Sequence, residues 1–210
     1  MILYGYPLSS ASYRVRIALA LKGLEVTTVN VQLRGGEQRQ HDFLKINPQG
    51  FVPTLSLDDG QVLTQSIAII EYLEEMFPQP PLLPAPPAAR ARVRALCQLI
   101  ACDVHPLNNL RVLQYLEGRL GLDRSARDTW YHHWVQAGFE ALENTLARDS
   151  SAGRFCYGDA PGLADVCLVP QVFNARRLAV DLAAYPRIVA IDAACRQIPA
   201  FERAAPERQT

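Results

Sequence analysis

Tyr4-Gly5-Tyr6-Pro7-Leu8-Ser9-Ser10-Ala11-Ser12-Tyr13-Arg14-Val15-Arg16-Ile17-Ala18-Leu19 is the stretch whose reading decides the fold. A short apolar strand over 1–5 runs into a Ser-rich turn, and the turn into a basic, then apolar, helix over 10–22. Such an arrangement aims serine hydroxyls and unpaired backbone N–H groups at one spot before a helix N-terminus. An anion placed there, a thiolate included, is stabilised. Taken alone, the stretch reads equally well as an ordinary Ser-capped helix.

Two later segments narrow the choice. Asn47-Pro48-Gln49-Gly50-Phe51-Val52-Pro53-Thr54-Leu55 places a proline at the opening of a strand, where a missing N–H is tolerated. Gln65-Ser66-Ile67-Ala68-Ile69-Ile70-Glu71-Tyr72-Leu73 reads as a second Ser-bearing helix start, with Ile67, Ile70, Leu73 or Glu74, and Phe77 near one face. Asp58-Asp59-Gly60 is a hairpin signal between strands over 52–57 and 61–64. With a strand over 25–31 and a helix over 66–77, residues 1–82 form a mixed α/β unit. Six prolines crowd 78–87, which neither a helix nor a central strand accommodates, so this is the linker. From Ala88 the text is rich in Ala, Arg and Leu and lacks strand alternation. Helices are expected at 88–117, 124–148, 162–178 and 186–197, giving an all-helical domain over 88–210. At Gly162-Leu163-Ala164-Asp165 the helix entry has no cap hydroxyl, but Asp165 can accept from a backbone N–H of the first turn.

Bulk properties exclude several classes. A composition 49% hydrophobic and 20% charged is that of a globular chain. Lys and Arg total 21, as do Asp and Glu, so no global basic field recruits nucleic acid or an anionic membrane. No apolar run approaches the roughly 20 residues a membrane helix needs. The N-terminus has no basic segment followed by an apolar stretch, which predicts a cytoplasmic protein. The five cysteines do not suggest a disulfide framework, and Cys97, Cys102, Cys167 and Cys195 lie in apolar helical text expected to be buried. Cys102 and His105 are spaced like two metal ligands, yet no second pair stands nearby, so no metal is expected. His132 and His133 are adjacent and diverge, which reads as a surface pair.

Taken in order, Ser9 to Leu19, Asn47 to Leu55 and Gln65 to Glu75 resemble the glutathione transferase superfamily, and within it the zeta class. The likeness continues through Asp103-Val104-His105-Pro106-Leu107-Asn108-Asn109, Leu163-Ala164-Asp165, Leu168 to Val172 and Val180 to Pro186. The resemblance implies a thioredoxin-like α/β domain followed by a C-terminal helical bundle that contributes the substrate site. It implies glutathione as cofactor, a homodimer, and cis–trans isomerisation of a maleyl compound in the catabolism of aromatic compounds or tyrosine. By the same resemblance Ser9 is the main contact of the glutathione sulfur, with Ser10 in support. Val52-Pro53 is the cis-proline step, leaving the Val52 backbone to pair with the cysteinyl part. Gln65 and Ser66 hold the γ-glutamyl carboxylate, Gln49 faces the glycyl end, and His105 and Asn109 join the cofactor side. Asn108, Arg176 and Arg177 belong to the substrate side, Arg177 pairing with a carboxylate through its planar fork. The bland readings are a solvated helix face for His105, Asn108 and Asn109, and favourable charge at a helix C-terminus for the two arginines.

Beside the serines, two positions depart from the zeta pattern, as Gly162 does further on, where the family usually has Ser or Thr. Ala11 stands where that class has Cys, so the nucleophilic sulfur has to come from glutathione. Leu8 stands where it usually has Arg, which removes one anchor for a dicarboxylate; Arg14, Arg16 and Arg111 are the cations available to replace it. The alternative function is a general glutathione transferase that conjugates or dehalogenates a neutral electrophile, for which an apolar Leu8 is suited.

Overall fold

The computed structural model describes residues 1–209. They form two compact units, one made of Met1–Leu82 with the chain from Arg196 onward, the other of Leu83–Cys195. The C-terminal boundary therefore differs from the expected 88–210: the last residues belong to the first unit. Hydrophobic periodicity marks a helix face but does not say which core that face covers.

The first unit is built on four strands in the order β2-β1-β3-β4. β1 (Ile2–Gly5) pairs in parallel with β2 (Thr27–Asn30) and antiparallel with β3 (Thr54–Ser56). β3 and β4 (Val62–Thr64) form the hairpin signalled by Asp58-Asp59-Gly60, and Gly60 takes φ +87° in its turn. β1 and β2 are joined by α1 (Ser10–Leu21), the crossover a parallel pair requires. α1 packs against α3 (Ser66–Met76) and against α9 (Pro199–Ala204), the helix supplied by the C-terminal segment. Val15, Ile17, Leu55, Ile69, Ile70, Leu73 and Phe201 are buried in this core. A short helix that periodicity missed, α2 (His41–Ile46), places Phe43 edge-on to Tyr4 and beside Val31 and Val52. Six residues are fewer than two turns, too few to register a 3.6 period. The unit is tied at its lower end by Lys22. Its ammonium donates to Glu74 (2.8 Å), Phe77 O (2.6 Å) and Pro80 O (3.1 Å), and Glu74 accepts from Leu82 N.

The second unit is helical. The helix expected over 88–117 is broken into α4 (Pro87–Gln98), a π-helical turn at Leu99–Val104, a 3₁₀ turn at Pro106–Asn108, and α5 (Leu110–Gly118). Pro106 has no N–H to continue the ladder, and the wider turn absorbs the mismatch before it. α6 (Arg124–Arg148) is capped by Asp123, whose side chain accepts from Ala126 N. Gly138 lets α6 approach the π turn, because a Cβ there would overlap Val104 Cγ2. α7 (Leu163–Arg177) is buried from Leu163 to Val172 and packs against α4. α8 (Pro186–Arg196) completes the elements. At the α7 entry Asp165 accepts from Gly162 N (2.8 Å) and Cys156 N (2.8 Å). Only the acidic half of a capping box is present, since Gly162 has no side chain. Cys97, Cys156, Cys167 and Cys195 are buried; Cys102 is exposed, contrary to the expectation for it, because the π turn rotates it outward. His133 is exposed as expected. His132 is half-buried instead, its Nε2 lying 2.8 Å from Leu178 O.

Candidate functional site

In the first unit the Ser-rich turn is braced from both sides. Ser9 is the N-cap of α1, and its Oγ accepts from Ser12 N (3.2 Å). Ser9 N donates to Tyr6 O (3.0 Å), and Tyr6 N donates to Ser12 Oγ (3.3 Å). Ser9 is half-buried, whereas Ser10 is 3% exposed and is the first residue of the helix proper. Because Ser9 Oγ accepts the N–H, its own O–H proton is not used in that bond and remains to donate. No acidic residue lies in the first turn of α1 to offset the helix dipole. Ser12 carries the brace and was not singled out in the sequence; a third hydroxyl three residues after a cap was its signal.

The second helix start differs. Gln65 sits at φ 68°, ψ 119°, a positive-φ conformation rare for a non-glycine residue, and α3 has no side-chain cap. Gln65 Nε2 donates to Gln49 Oε1 (3.0 Å), so two of the expected residues meet on the surface. Ser66 is buried, and its Oγ accepts from Arg14 NH1 (3.3 Å). A guanidinium only donates, so the Ser66 hydroxyl is left as a donor in turn. Val52-Pro53 is cis, and both residues are buried.

The loop before them hangs on Asn47, fully buried. Its amide donates to Phe51 O (2.9 Å) and Thr54 Oγ1 (3.0 Å), and its Oδ1 accepts from Gln49 N (3.0 Å). Gly50 is required at the turn: φ is +63°, and a Cβ would meet Gln38 O at 2.9 Å. Asn47 and Arg14 carry structural weight that periodicity did not reveal. An Asn before Pro-Gln-Gly signals an Asx turn, and a charge inside an apolar helix signals a buried partner.

Arg14 and Arg16 are 1% and 9% exposed, so neither replaces a surface anchor at Leu8. Burial pushes the Arg16 guanidinium down to about 10, a value that leaves it charged at neutral pH.

In the second unit the expected residues gather partly around Tyr131. Asn108 Nδ2 donates to Tyr131 O (3.3 Å). Burial pushes the Tyr131 phenol up to about 12, with the Arg177 cation and a hydrogen bond from Gln171 pulling the other way, so it stays protonated. Arg177 is exposed, and its Nε and NH2 both reach Asn174 Oδ1 at 3.3 Å. Arg176 instead pairs with the buried Asp192. Asn109 is the N-cap of α5, its Oδ1 accepting from Arg111 N (3.1 Å). His105 follows the π turn, and its backbone N donates to Ile100 O (2.9 Å). Tyr131 and Gln171 were not foreseen; both lie on helix faces that read as plain core. Burial, reinforced by Asp165, pushes the Cys156 and Cys195 thiols up, so neither supplies a thiolate. Among the described residues no group of His, Cys, Asp and Glu is arranged to hold a metal, and no helix is long and apolar enough to cross a membrane.

Residues 8–76 match the family model of the glutathione S-transferase N-terminal domain, and 128–191 that of the C-terminal domain. The chain is 48% identical over 211 residues to a probable maleylacetoacetate isomerase of Vibrio cholerae, with 100% of this chain and 97% of that protein covered. Among solved structures it is similar to a holo maleylpyruvate isomerase described as a bacterial zeta-class glutathione S-transferase. That match has 50% identity and a TM-score of 0.97 and covers 100% and 98% of the two chains. It is also similar to a maleylacetoacetate isomerase of Methylobacterium extorquens solved with bound malonate and glutathione, at 43% identity and a TM-score of 0.98, with 100% and 98% covered.

Proposed function

The chain belongs to the glutathione S-transferase family, and on that premise we propose that it is a glutathione-dependent cis–trans isomerase of a maleyl compound, of the maleylacetoacetate or maleylpyruvate kind. The observation that carries this reading is Ser9: a half-buried helix cap whose hydroxyl keeps its proton to donate, at the positive end of α1. When bound, glutathione supplies the sulfur nucleophile that adds to the maleyl double bond and later leaves it, the bond turning in between.

The residues of the chain fit that partner. Ser9 Oγ–H holds the sulfur in its anionic form, and Ser10, nearly buried behind it, supports the turn. Ser66 Oγ–H and the uncapped start of α3 hold a carboxylate, with Gln65 beside them and the Arg14 charge behind the hydroxyl. The Val52 backbone offers a strand-like edge, and Gln49 extends the polar rim. His105 and Asn109 are assigned to the cofactor side, Asn108 and Arg177 to the substrate. Arg177 is the cation we assign to a substrate carboxylate; Arg176 is engaged with Asp192. The protein has Ala11 beside the serines and protonated buried thiols elsewhere, which is consistent with sulfur chemistry that belongs to glutathione.

A second reading, a transferase for neutral electrophiles, is favoured by Leu8 alone. A cis–trans assay on a maleyl acid, run beside conjugation of a neutral chloro-aromatic, decides between them; turnover of the chloro-aromatic only would overturn the isomerase. We further propose a cytoplasmic homodimer, without nucleic acid or membrane partners. Light scattering that gave a monomer at micromolar concentration would contradict the dimer.

A further inference from the structure

Arg16 is a buried cation with no acid among its partners. Its Nε donates to Ala204 O (3.0 Å), NH2 to Pro7 O (3.0 Å) and NH1 to Tyr6 O (3.4 Å), and its guanidinium lies 5.3 Å from the centre of the Tyr13 ring. A charge buried without a counter-ion is costly to desolvate, while its removal would leave three carbonyls without their donor. What only arginine supplies is a rigid planar fork that spans three carbonyls at once. Two of those carbonyls belong to the turn that presents Ser9. Tyr6 O is also the acceptor for Ser9 N, so Arg16 and Ser9 share one oxygen. The third carbonyl lies in α9, the helix that the C-terminal segment brings onto α1. Tyr13 OH reaches the same helix at Phe201 O (3.5 Å).

We propose that Arg16 is a positioning residue for the sulfur site: it fastens the Tyr6-Pro7 turn to α9 and so fixes where Ser9 Oγ stands. The C-terminal segment is then part of the thiolate-stabilising device, although it contributes no atom to the sulfur. This rests on the assignment of Ser9 to the sulfur. A cavity of about 180 Å³ against Arg16, lined also by Asn30 and Arg208, gives room and polar groups for water. An ammonium in place of the fork is therefore hydrated, which makes Arg16→Lys a variant expected to fold even where Arg16→Met does not.

The test compares Arg16→Lys, Arg16→Met, Ser9→Ala and Leu19→Ala, the last a buried residue of the same helix with no side-chain hydrogen bond to give. Thiolate absorbance of bound glutathione is titrated in each. Amide exchange at Ser9 and Ser12 is followed in the glutathione-free protein. Arg16→Met is expected to raise the thiol pKa by about one unit, leaving about tenfold less thiolate at neutral pH. Arg16→Lys is expected to shift it partway. Both are expected to speed exchange at Ser9 beyond the change in global stability, with the KM for glutathione little altered. Leu19→Ala is expected to lower the melting temperature and leave the titration in place. Arg16 variants that only lower the melting temperature, while Ser9→Ala moves the titration, would overturn the proposal. A Ser9→Ala protein with an unmoved titration would instead overturn the assignment of Ser9. In that event exchange at Ser9 in the Arg16 variants still decides whether Arg16 positions the turn.

Discussion

Helix α1 starts with its cap filled, and helix α3 starts with its cap open. At α1 the Ser9 hydroxyl takes the Ser12 N–H, so the turn is braced before any ligand arrives and the hydroxyl keeps its proton to donate. At α3 no side chain covers the first turn, and the residue at the cap position is held at φ 68°. The filled start suits a task that needs one donor fixed against one atom, the stabilisation of a thiolate. The open start suits a task that needs several diffuse donors, the capture of a carboxylate remote from the chemistry. On this view the first helix governs turnover and the second governs affinity.

Removing the donor at the filled start is the strongest way to break that contrast. Ser9→Ala is expected to lower kcat about a hundredfold, in the range seen when one preorganised donor to a developing anion is deleted. The glutathione KM is expected to stay within about threefold, since the carboxylate site is untouched. Steady-state kinetics on the maleyl acid checks both; a large KM effect with kcat preserved would reverse the roles of the two helices.

The residue just before the filled start sharpens the contrast toward substrate. Leu8→Arg is expected to raise kcat/KM on a maleyl dicarboxylate about tenfold, and Arg177→Ala to lower it by a comparable factor, each being one charge-assisted contact of about 1.5–3 kcal/mol. For a neutral electrophile the same Leu8→Arg is expected to harm activity, because it places an unpaired charge against the substrate. Loss on the maleyl acid, with Arg177→Ala silent, would remove the case for a dicarboxylate.

At the open start the expected effect is smaller and of another kind. Ser66→Ala is expected to raise the glutathione KM about fivefold, equivalent to roughly 1 kcal/mol for a single hydrogen bond, with kcat nearly unchanged. It also removes the hydroxyl that accepts from Arg14 NH1, so a modest loss of stability accompanies it. An unchanged KM, read from initial rates at varied glutathione, would sink the carboxylate role.

Much of this was legible in the sequence, and the parts that were not share a physical cause. The hairpin at Asp58-Asp59-Gly60 and the full span of α6 could be read because local chemistry sets them: a positive-φ glycine in one, the Asp123 cap in the other. The break after Gln98 was not legible, since a π turn adds one residue and barely disturbs the apolar period. The membership of α9 in the first unit was not legible, because nothing local to Pro199–Ala204 names its packing partner. The same holds for the site. Ser9, Ser66 and the Val52-Pro53 step stand in motifs, whereas Arg16, Asn47 and Tyr131 matter through atoms distant in sequence.

Gln65 gives the smallest effect and the most direct view of the difference between the two starts. A non-glycine residue at φ 68°, ψ 119° costs of order 1–3 kcal/mol, which glycine avoids. Glycine in turn gives up about 0.5–1 kcal/mol through the greater freedom of the unfolded chain. Gln65→Gly is therefore expected to stabilise the protein by about 1 kcal/mol, a rise of roughly 2–4 °C in melting temperature for a chain of this size. It also deletes the bond to Gln49 Oε1, so the glutathione KM is expected to rise about twofold to threefold. Gln65→Ala separates the two contributions: it removes the amide but keeps a Cβ at the strained position, so it is expected to match glycine in KM without gaining stability. Thermal melts beside initial rates read both quantities. A Gln65→Gly protein less stable than the parent would mean that the φ 68° conformation stores no strain, and the open start of α3 would then be an ordinary helix entry and not one held ready for a ligand.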